Sequence, residues 1–307
     1  MRIPSIDLEL WAEGGAETRR AIAGTVDEAL RTAGFLLVTG HGIGAGPRAE
    51  IRAAAKRFFH LPYPEKKAYA VQVGGRGWLG PGAEANAYAE GGDGPPDLKE
   101  SYSFASYDPT GDPVVDAEWF DGPNVWPAEV PGMQPLVETY LDQMFALSNT
   151  VLEVLGVAMG EKEDHFTAHT QQATWGFNIN WYPGAERVGP AAPGQFRIGP
   201  HTDFGTVTLL DRQPGLGGLQ VYTDEGGWED APYDPDALTM NIGDLMAHWS
   251  GGRWQAGRHR VLPPPVDAPD EELVSLAYFF DCDMGTDVRG IDAHEFLRGK
   301  LTAITAD

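Results

Sequence analysis

Cysteine is nearly missing from this chain: 307 residues contain one, Cys282. A single thiol rules out an intrachain disulfide framework and fits a reducing compartment, so a cytoplasmic location is expected. Following Phe280 and Asp281, it reads as a passive strand residue, not a nucleophile. Positive charge is also scarce. Lysine and arginine number 22 against 45 acidic residues, a net charge of −23. Such a surface repels phosphate backbones and anionic headgroups, so neither nucleic acid nor membrane is an expected partner. It also means that an anionic small molecule must find a local cation against an unfavourable field. Long apolar runs are absent too. No stretch approaches membrane-spanning length, and the opening MRIPSIDLEL has no basic segment leading into an apolar run, so no signal peptide is expected.

Turn formers are plentiful, with 39 glycines and 24 prolines. Together with an ordinary 42% hydrophobic content, they favour a β-rich core over a helix bundle. Helical spacing runs through residues 16–33 (Ile22, Val26, Leu30, Ala33), where Gly34 can stop the helix. FLLVT (35–39) follows as a short buried strand. Residues 47–60 repeat the pattern with Ile51, Ala55, Phe58 and Phe59, and Pro62 and Pro64 end it. Residues 71–97 and about 105–131 read as long irregular segments. Residues 133–159 are helical again, with Pro135 in the first turn. Beyond residue 172 the text changes to short apolar runs between turns: FNINWY, GTVTLL, GGLQVY, ALTMNI, HRVL, LVSLAYFF. That rhythm predicts a mainly β, α+β chain with flanking helices around a jelly-roll or barrel core. One domain is expected over 1–307. Its parts are a mostly helical N-terminal half to 172 with substrate loops, a core over 173–285 and a C-terminal segment over 286–307.

His201 and Asp203 stand one residue apart in GPHTDFGTVTLL. On a strand, residues i and i+2 share a face, so both side chains can point into one cavity. A third ligand would come from another histidine. His41 and His60 lie in the N-terminal half, His165 and His169 in a surface segment, and His248 close to a turn. His259 opens the strand HRVL, far enough downstream for the sheet to fold back. Two histidines and a carboxylate leave three positions of an octahedron open, the arrangement of non-haem Fe(II) oxygenases. H-x-D alone is a weak signal.

The surrounding text strengthens it. IPSIDL, GFLLVTGHGI, FFHLPYPEKKAY, DLKESYSF, NINWYP, HTDFGTVTLL, GGLQVY and MNIGDLMAHWSGGRWQAGRHRVLPP resemble, in order and spacing, the iron- and 2-oxoglutarate-dependent oxygenases related to isopenicillin N synthase. The likeness runs nearly end to end. It implies a double-stranded β-helix that binds Fe(II) through His201, Asp203 and His259, with 2-oxoglutarate and O₂ as cosubstrates. By the same likeness Tyr182 touches the cosubstrate and Ser275 lies beside it, while Asn180 serves either the cosubstrate or a structural hydrogen bond. Asn241 and Asp244 look like structural turn formers.

The chain departs from the family at one place. Its relatives carry Arg-x-Ser after the distal histidine, the arginine pairing with the far carboxylate of 2-oxoglutarate. Here the stretch is LVSLAYFF, with Leu273 at the arginine position and Ser275 retained. A leucine cannot offset the desolvation of a carboxylate. Arg197, four residues before His201, is the leading replacement. Arg187 and Arg253 are weaker ones, and Arg260 points the other way. Otherwise the Ser275 and Tyr182 hydroxyls hold the carboxylate alone, or 2-oxoglutarate is not used.

The resemblance implies oxidation of a small organic molecule by hydroxylation, desaturation, ring closure or demethylation. Trp78, Tyr88, Tyr102, Phe104 and Trp119 in the variable segments would suit an apolar or planar substrate, although Phe104 and Trp119 fit a core equally well. A monomer or small homo-oligomer is expected. The alternatives are an oxidase that works without 2-oxoglutarate, a jelly roll that binds without turnover, and a zinc hydrolase.

Overall fold

A computed structural model describes residues 3–303 apart from 108, 110, 112, 120, 121, 216 and 217. The chain begins with β1 (Ser5–Asp7), α1 (Leu8–Glu13), α2 (Ala16–Thr32), β2 (Phe35–Thr39), α3 (Ala45–Phe59) and α4 (Tyr63–Lys67). It continues through β3 (Gly77–Leu79), β4 (Glu100–Ala105), α5 (Pro113–Trp119) and the long α6 (Met133–Met159). The core strands are β5 (Trp175–Tyr182), β6 (Ile198–His201), β7 (Val207–Asp211), β8 (Leu219–Thr223) and β9 (Gly227–Asp230), with α7 (Ala185–Val188) after β5. Then come β10 (Leu238–Ile242), α8 (Asp244–Trp249), β11 (His259–Val261), β12 (Leu273–Phe280), the hairpin β13 (Asp287–Val288) and β14 (Ile291–Asp292), and α9 (Ala293–Ala303).

The strands form an eight-stranded sheet in the order β1-β2-β10-β7-β12-β5-β4-β3 and a four-stranded sheet in the order β6-β11-β8-β9. The order interleaves distant parts of the chain, as a jelly roll requires. The segment before residue 172 supplies β1 to β4 of the large sheet as well as its helices. Within the stretches read as irregular lie β3 and α5, and β4 lies between the two stretches.

Register decides what each face of the large sheet carries. Opposed residues in antiparallel pairs share a face, and faces alternate along each strand. Asn241 opposes Thr208, Thr208 opposes Phe279, Ser275 opposes Asn180, and Asn180 opposes Ser101. These residues therefore share the face turned toward the small sheet. The other face carries Met240, Leu209, Tyr278, Phe177, Ile179, Tyr102 and Phe104, all buried in one cluster with the apolar sides of α2, α3 and α6. Each such large side chain contributes about 1.5–3 kcal/mol on leaving water. The main core thus lies between sheet and helices, while the jelly-roll interior combines polar residues with a smaller apolar cluster that includes Phe35, Leu37, Leu219 and Val221.

Gly34 ends α2 in the left-handed region at φ 69°. A Cβ there would stand 2.4 Å from the Gln255 carbonyl oxygen, so only glycine lets the chain turn into β2 against the 255–257 segment.

Candidate metal centre and cosubstrate pocket

His201 ends β6 and His259 opens β11; the two are directly opposed in the small sheet. Their rings lie 4.2 Å apart, centre to centre. Asp203 is not on the strand. β6 ends at His201, and Asp203 sits in the turn that follows. Strand alternation therefore does not aim its carboxylate, contrary to the geometry expected from the sequence. The turn is pinned instead to the start of α8: the Asp244 amide donates to the Asp203 carbonyl at 2.8 Å, and the Leu245 amide to the Phe204 carbonyl at 3.0 Å.

This placement brings three ligand atoms within 4.8 Å of one another. Asp203 Oδ1 lies 3.6 Å from His201 Nε2 and 4.0 Å from His259 Nε2. The remaining polar atoms of the triad are occupied so as to leave these three facing inward. His201 Nδ1 donates to the Gly199 carbonyl at 2.8 Å and His259 Nδ1 to the Gly257 carbonyl at 2.9 Å. Those bonds fix the tautomer that presents an Nε2 lone pair. Asp203 Oδ2 accepts from Thr208 Oγ1 and Asn241 Nδ2, both at 2.6 Å. Two imidazole nitrogens and one carboxylate oxygen suit Fe(II) and leave positions for other ligands.

Charge follows from the same geometry. Burial opposes the charged form of His201, but the hydrogen bond and charge of Asp203 outweigh it and hold the imidazole pKa above its usual value. Burial, then the adjoining His201, push His259 down to about 4. Burial would raise Asp203, yet His259 and His201 together hold it well below the usual carboxylate range. Without metal the centre therefore carries a carboxylate, one imidazole that readily takes a proton and one that does not.

Sequence reasoning missed two supporting residues. Asn241, read as a turn former, lies mid-strand in β10 and grips Asp203; Thr208 does so from β7. The spacing of Asn241 and Thr208 gives no hint of this, because it depends on which strands are neighbours.

Residues expected around the cosubstrate meet one another at the inner-face end of β5 and β12. The hydroxyls of Tyr182 and Ser275 are 3.1 Å apart. Leu273 opposes Tyr182. The Arg197 side chain is fully buried, with its guanidinium carbon 5.8 Å from the centre of the Tyr182 ring. Its Nη1 donates to Glu271 Oε2 at 2.7 Å and its Nη2 to the Glu271 carbonyl at 2.6 Å. Asn180 Oδ1 accepts from Ser101 Oγ at 2.8 Å and from Lys99 Nζ at 3.4 Å. Lys99 was not foreseen. It is buried, pairs with Glu84 at 2.8 Å and has a raised pKa: burial works against its charge, but Glu84 and Asp97 outweigh it. Asp97 accepts from the Gly199 amide at 2.9 Å, which seats the 84–99 segment on the metal strand. A Cβ on Gly199 would lie 2.7 Å from Ala87 Cβ, so that contact needs glycine.

The other candidates lie elsewhere. Arg253 pairs with Asp27, Arg187 stands over the buried Trp181 ring on the helix side of the large sheet, and Arg260 bonds Gln220 on the outside of the small sheet. His41 bonds the Asp236 carbonyl, His60 pairs with Glu272, and His165 and His169 pack edge-on against Phe166 and Trp249. His248 lies in α8. Cys282 is buried, which pushes its thiol up to about 12 and keeps it inert. Three of the five aromatics expected to wall the substrate face away from the site. Trp78 donates to Glu100, and Tyr102 and Phe104 belong to the helix-side core. Tyr88 is half-buried and bonds the Gly94 carbonyl. The Trp119 side chain lies outside the described residues.

Fold and site together define a jelly-roll oxygenase of the two-histidine, one-carboxylate type. Comparison with known proteins agrees. A family model described as non-haem dioxygenase in morphine synthesis N-terminal matches residues 3–129, and one described as 2OG-Fe(II) oxygenase superfamily matches residues 176–281. Validamycin A dioxygenase of Streptomyces hygroscopicus subsp. limoneus is 43% identical over 92% of this chain and 77% of that protein. The 2-oxoglutarate-dependent dioxygenase tropC of Talaromyces stipitatus is 31% identical over 94% of this chain and 89% of its own. A full-length Neurospora crassa protein, solved in complex with alpha-KG and thymine, superposes with a TM-score of 0.82 at 27% identity, covering 98% of this chain and 96% of that one. The chain belongs to the 2OG-Fe(II) oxygenase superfamily. It is an Fe(II)- and 2-oxoglutarate-dependent dioxygenase that oxidises a small molecule with O₂.

Proposed function

We propose that His201, Asp203 and His259 hold the iron, that Tyr182, Ser275 and Arg197 receive the far carboxylate of 2-oxoglutarate, and that the substrate is a polar, hydrogen-bonding small molecule. The observation that carries the substrate reading is the inner face of the large sheet. Asn178, Asn180, Ser101, Ser103 and Ser275 share it with Tyr182 and outnumber its apolar members Leu273, Ala277 and Phe279 there, while Trp78, Tyr102 and Phe104 point to the helices. A pocket lined by amides and hydroxyls favours a partner that satisfies them and leaves a flat, sparsely substituted ring unmatched.

With 2-oxoglutarate chelated, the iron supplies the activation of O₂ that oxidises the substrate while the oxoacid becomes succinate and CO₂. The chain's own residues orient and shield. Thr208 and Asn241 hold Asp203 so that a single oxygen faces the metal. The main-chain carbonyls of Gly199 and Gly257 keep both imidazoles in the ligating tautomer. Arg197 supplies the positive charge that Leu273 lacks. It arrives from the residue just before the strand that bears His201, not from β12.

Release of labelled CO₂ from 2-oxoglutarate, followed with a panel of candidate substrates, tests this. Validamycin A, the compound named in the 43%-identical relative, represents the polar class, and thymine, bound in the Neurospora crassa structure, the planar one. Polar, polyfunctional compounds should stimulate release several-fold. Stimulation by planar ring compounds alone would refute the reading of the pocket.

A further inference from the structure

Arg197 is already occupied, and the manner of its occupation has a consequence. Its guanidinium makes two contacts with one residue of different kinds: Nη1 with the Glu271 carboxylate and Nη2 with the Glu271 main-chain carbonyl. The Glu271 carboxylate stands where the strands carry Leu273. A Cβ built on Gly215 would lie 3.1 Å from Glu271 Oε1 and 2.5 Å from Leu273 Cδ1. Carboxylate, leucine side chain and guanidinium therefore meet at one end of the pocket, over the Tyr182 ring. The arginine side chain is 1% exposed, whereas that of Glu271 is 14% exposed and lies in the loop leading into β12.

We propose that Glu271 is an internal stand-in for the far carboxylate of 2-oxoglutarate and gives up Arg197 Nη1 when the cosubstrate binds. The inference rests on the reading of Arg197 as the cosubstrate cation. A buried guanidinium facing one carboxylate is a neutral pair. A second carboxylate in the same desolvated space leaves an uncompensated negative charge. Of the two carboxylates, that of Glu271 has a path to solvent. Its main-chain carbonyl stays, and keeps the guanidinium in position during the exchange. The pocket is thus charge-balanced in the resting protein, at the expense of cosubstrate affinity: every binding event must first break a buried charge-assisted contact.

The experiment measures dissociation constants for two oxoacids on the anaerobic Fe(II)-loaded protein by the visible charge-transfer band of the chelate, with calorimetry on the Mn(II)-loaded protein as a second readout. 2-Oxoglutarate carries the far carboxylate and 2-oxobutyrate lacks it. Glu271→Gln should tighten 2-oxoglutarate at least fivefold and leave 2-oxobutyrate unchanged. Arg197→Met should weaken 2-oxoglutarate at least tenfold, again without affecting 2-oxobutyrate. If Glu271→Gln leaves 2-oxoglutarate unchanged or weaker while Arg197→Met weakens it selectively, the exchange is wrong and the arginine reading stands. If Arg197→Met leaves the ratio of the two constants unchanged, both fall. Should Arg197→Met not fold, the double variant Arg197→Met/Glu271→Gln removes cation and counter-charge together, and its ratio decides the same question.

Discussion

Asp203 commits one carboxylate oxygen to the protein and leaves the other to the proposed metal site. Oδ2 is held by Thr208 and Asn241 at 2.6 Å each, which leaves Oδ1 to face the two Nε2 atoms. Partners of this kind typically account for about 10–100-fold in metal affinity. Thr208→Val and Asn241→Ala should each weaken Mn(II) or Fe(II) binding by about that much with the circular dichroism spectrum unchanged; titration showing unaltered affinity would refute the role. The imidazoles give a pH dependence with a definite sign. His201 is raised, so a metal must displace its proton, and affinity should fall as pH drops through that raised value. His259, held near 4, is already neutral and adds nothing above that pH. Mn(II) titrations from weakly acid to weakly basic pH should show one proton released per ion. Release of two would mean that His259 is not held neutral.

Among the elements, α3 is fixed to the sheet by charge as well as by apolar contact. Arg48 and Arg52 reach Asp211 at the end of β7 at 3.0 and 2.6 Å, all three side chains largely buried. Breaking a buried pair from one side leaves the remaining charges uncompensated, at about 3–5 kcal/mol. Asp211→Asn should therefore lower unfolding stability by about that amount in urea titration; a loss under about 1 kcal/mol, the range of an exposed pair, would show the cluster to be solvated. Helix α3 and strand β2 are legible in the sequence, from Ile51, Ala55, Phe58 and Phe59 at helical spacing and from the compact FLLVT run. The alternation in FNINWY is legible too: Phe177, Ile179 and Trp181 face the helices, and Asn178, Asn180 and Tyr182 face the interior. Strands β3 and β4 were hidden among glycines, prolines and charged residues, because β4 is held by pairing with β5 and β3 by pairing with β4, not by their own apolar pattern.

For the whole molecule, the separation of core from site has a consequence. The largest apolar cluster lies on the helix side of the large sheet and the triad on the other side. Metal removal therefore takes away ligand bonds without opening the core. Chelator-stripped protein should keep its far-ultraviolet circular dichroism and lose only the binding contribution, about 3 kcal/mol at a metal concentration a hundredfold above Kd. Collapse of the spectrum on stripping would show that the ion is needed to build the fold. The net charge of −23 acts at this scale as well. It opposes the approach of a dianionic cosubstrate, so a buried cation such as Arg197 must do locally what the surface cannot.

Order along the chain was enough to assign the two histidines and the aspartate, because their residue types and the text around them are specific. The jelly roll followed from the same text and from the rhythm of short strands and turns. Which oxygen of Asp203 is free, which carbonyls set the imidazole tautomers, and why Trp78, Tyr102 and Phe104 face the helices depended on register and on the turn locked to α8. Arg197, the charge proposed to stand in for the arginine missing at Leu273, was one candidate among several in the sequence. Only the approach of β6 to the start of β12 sets Arg197 beside Glu271, since that contact joins residues 74 positions apart and no local pattern encodes it.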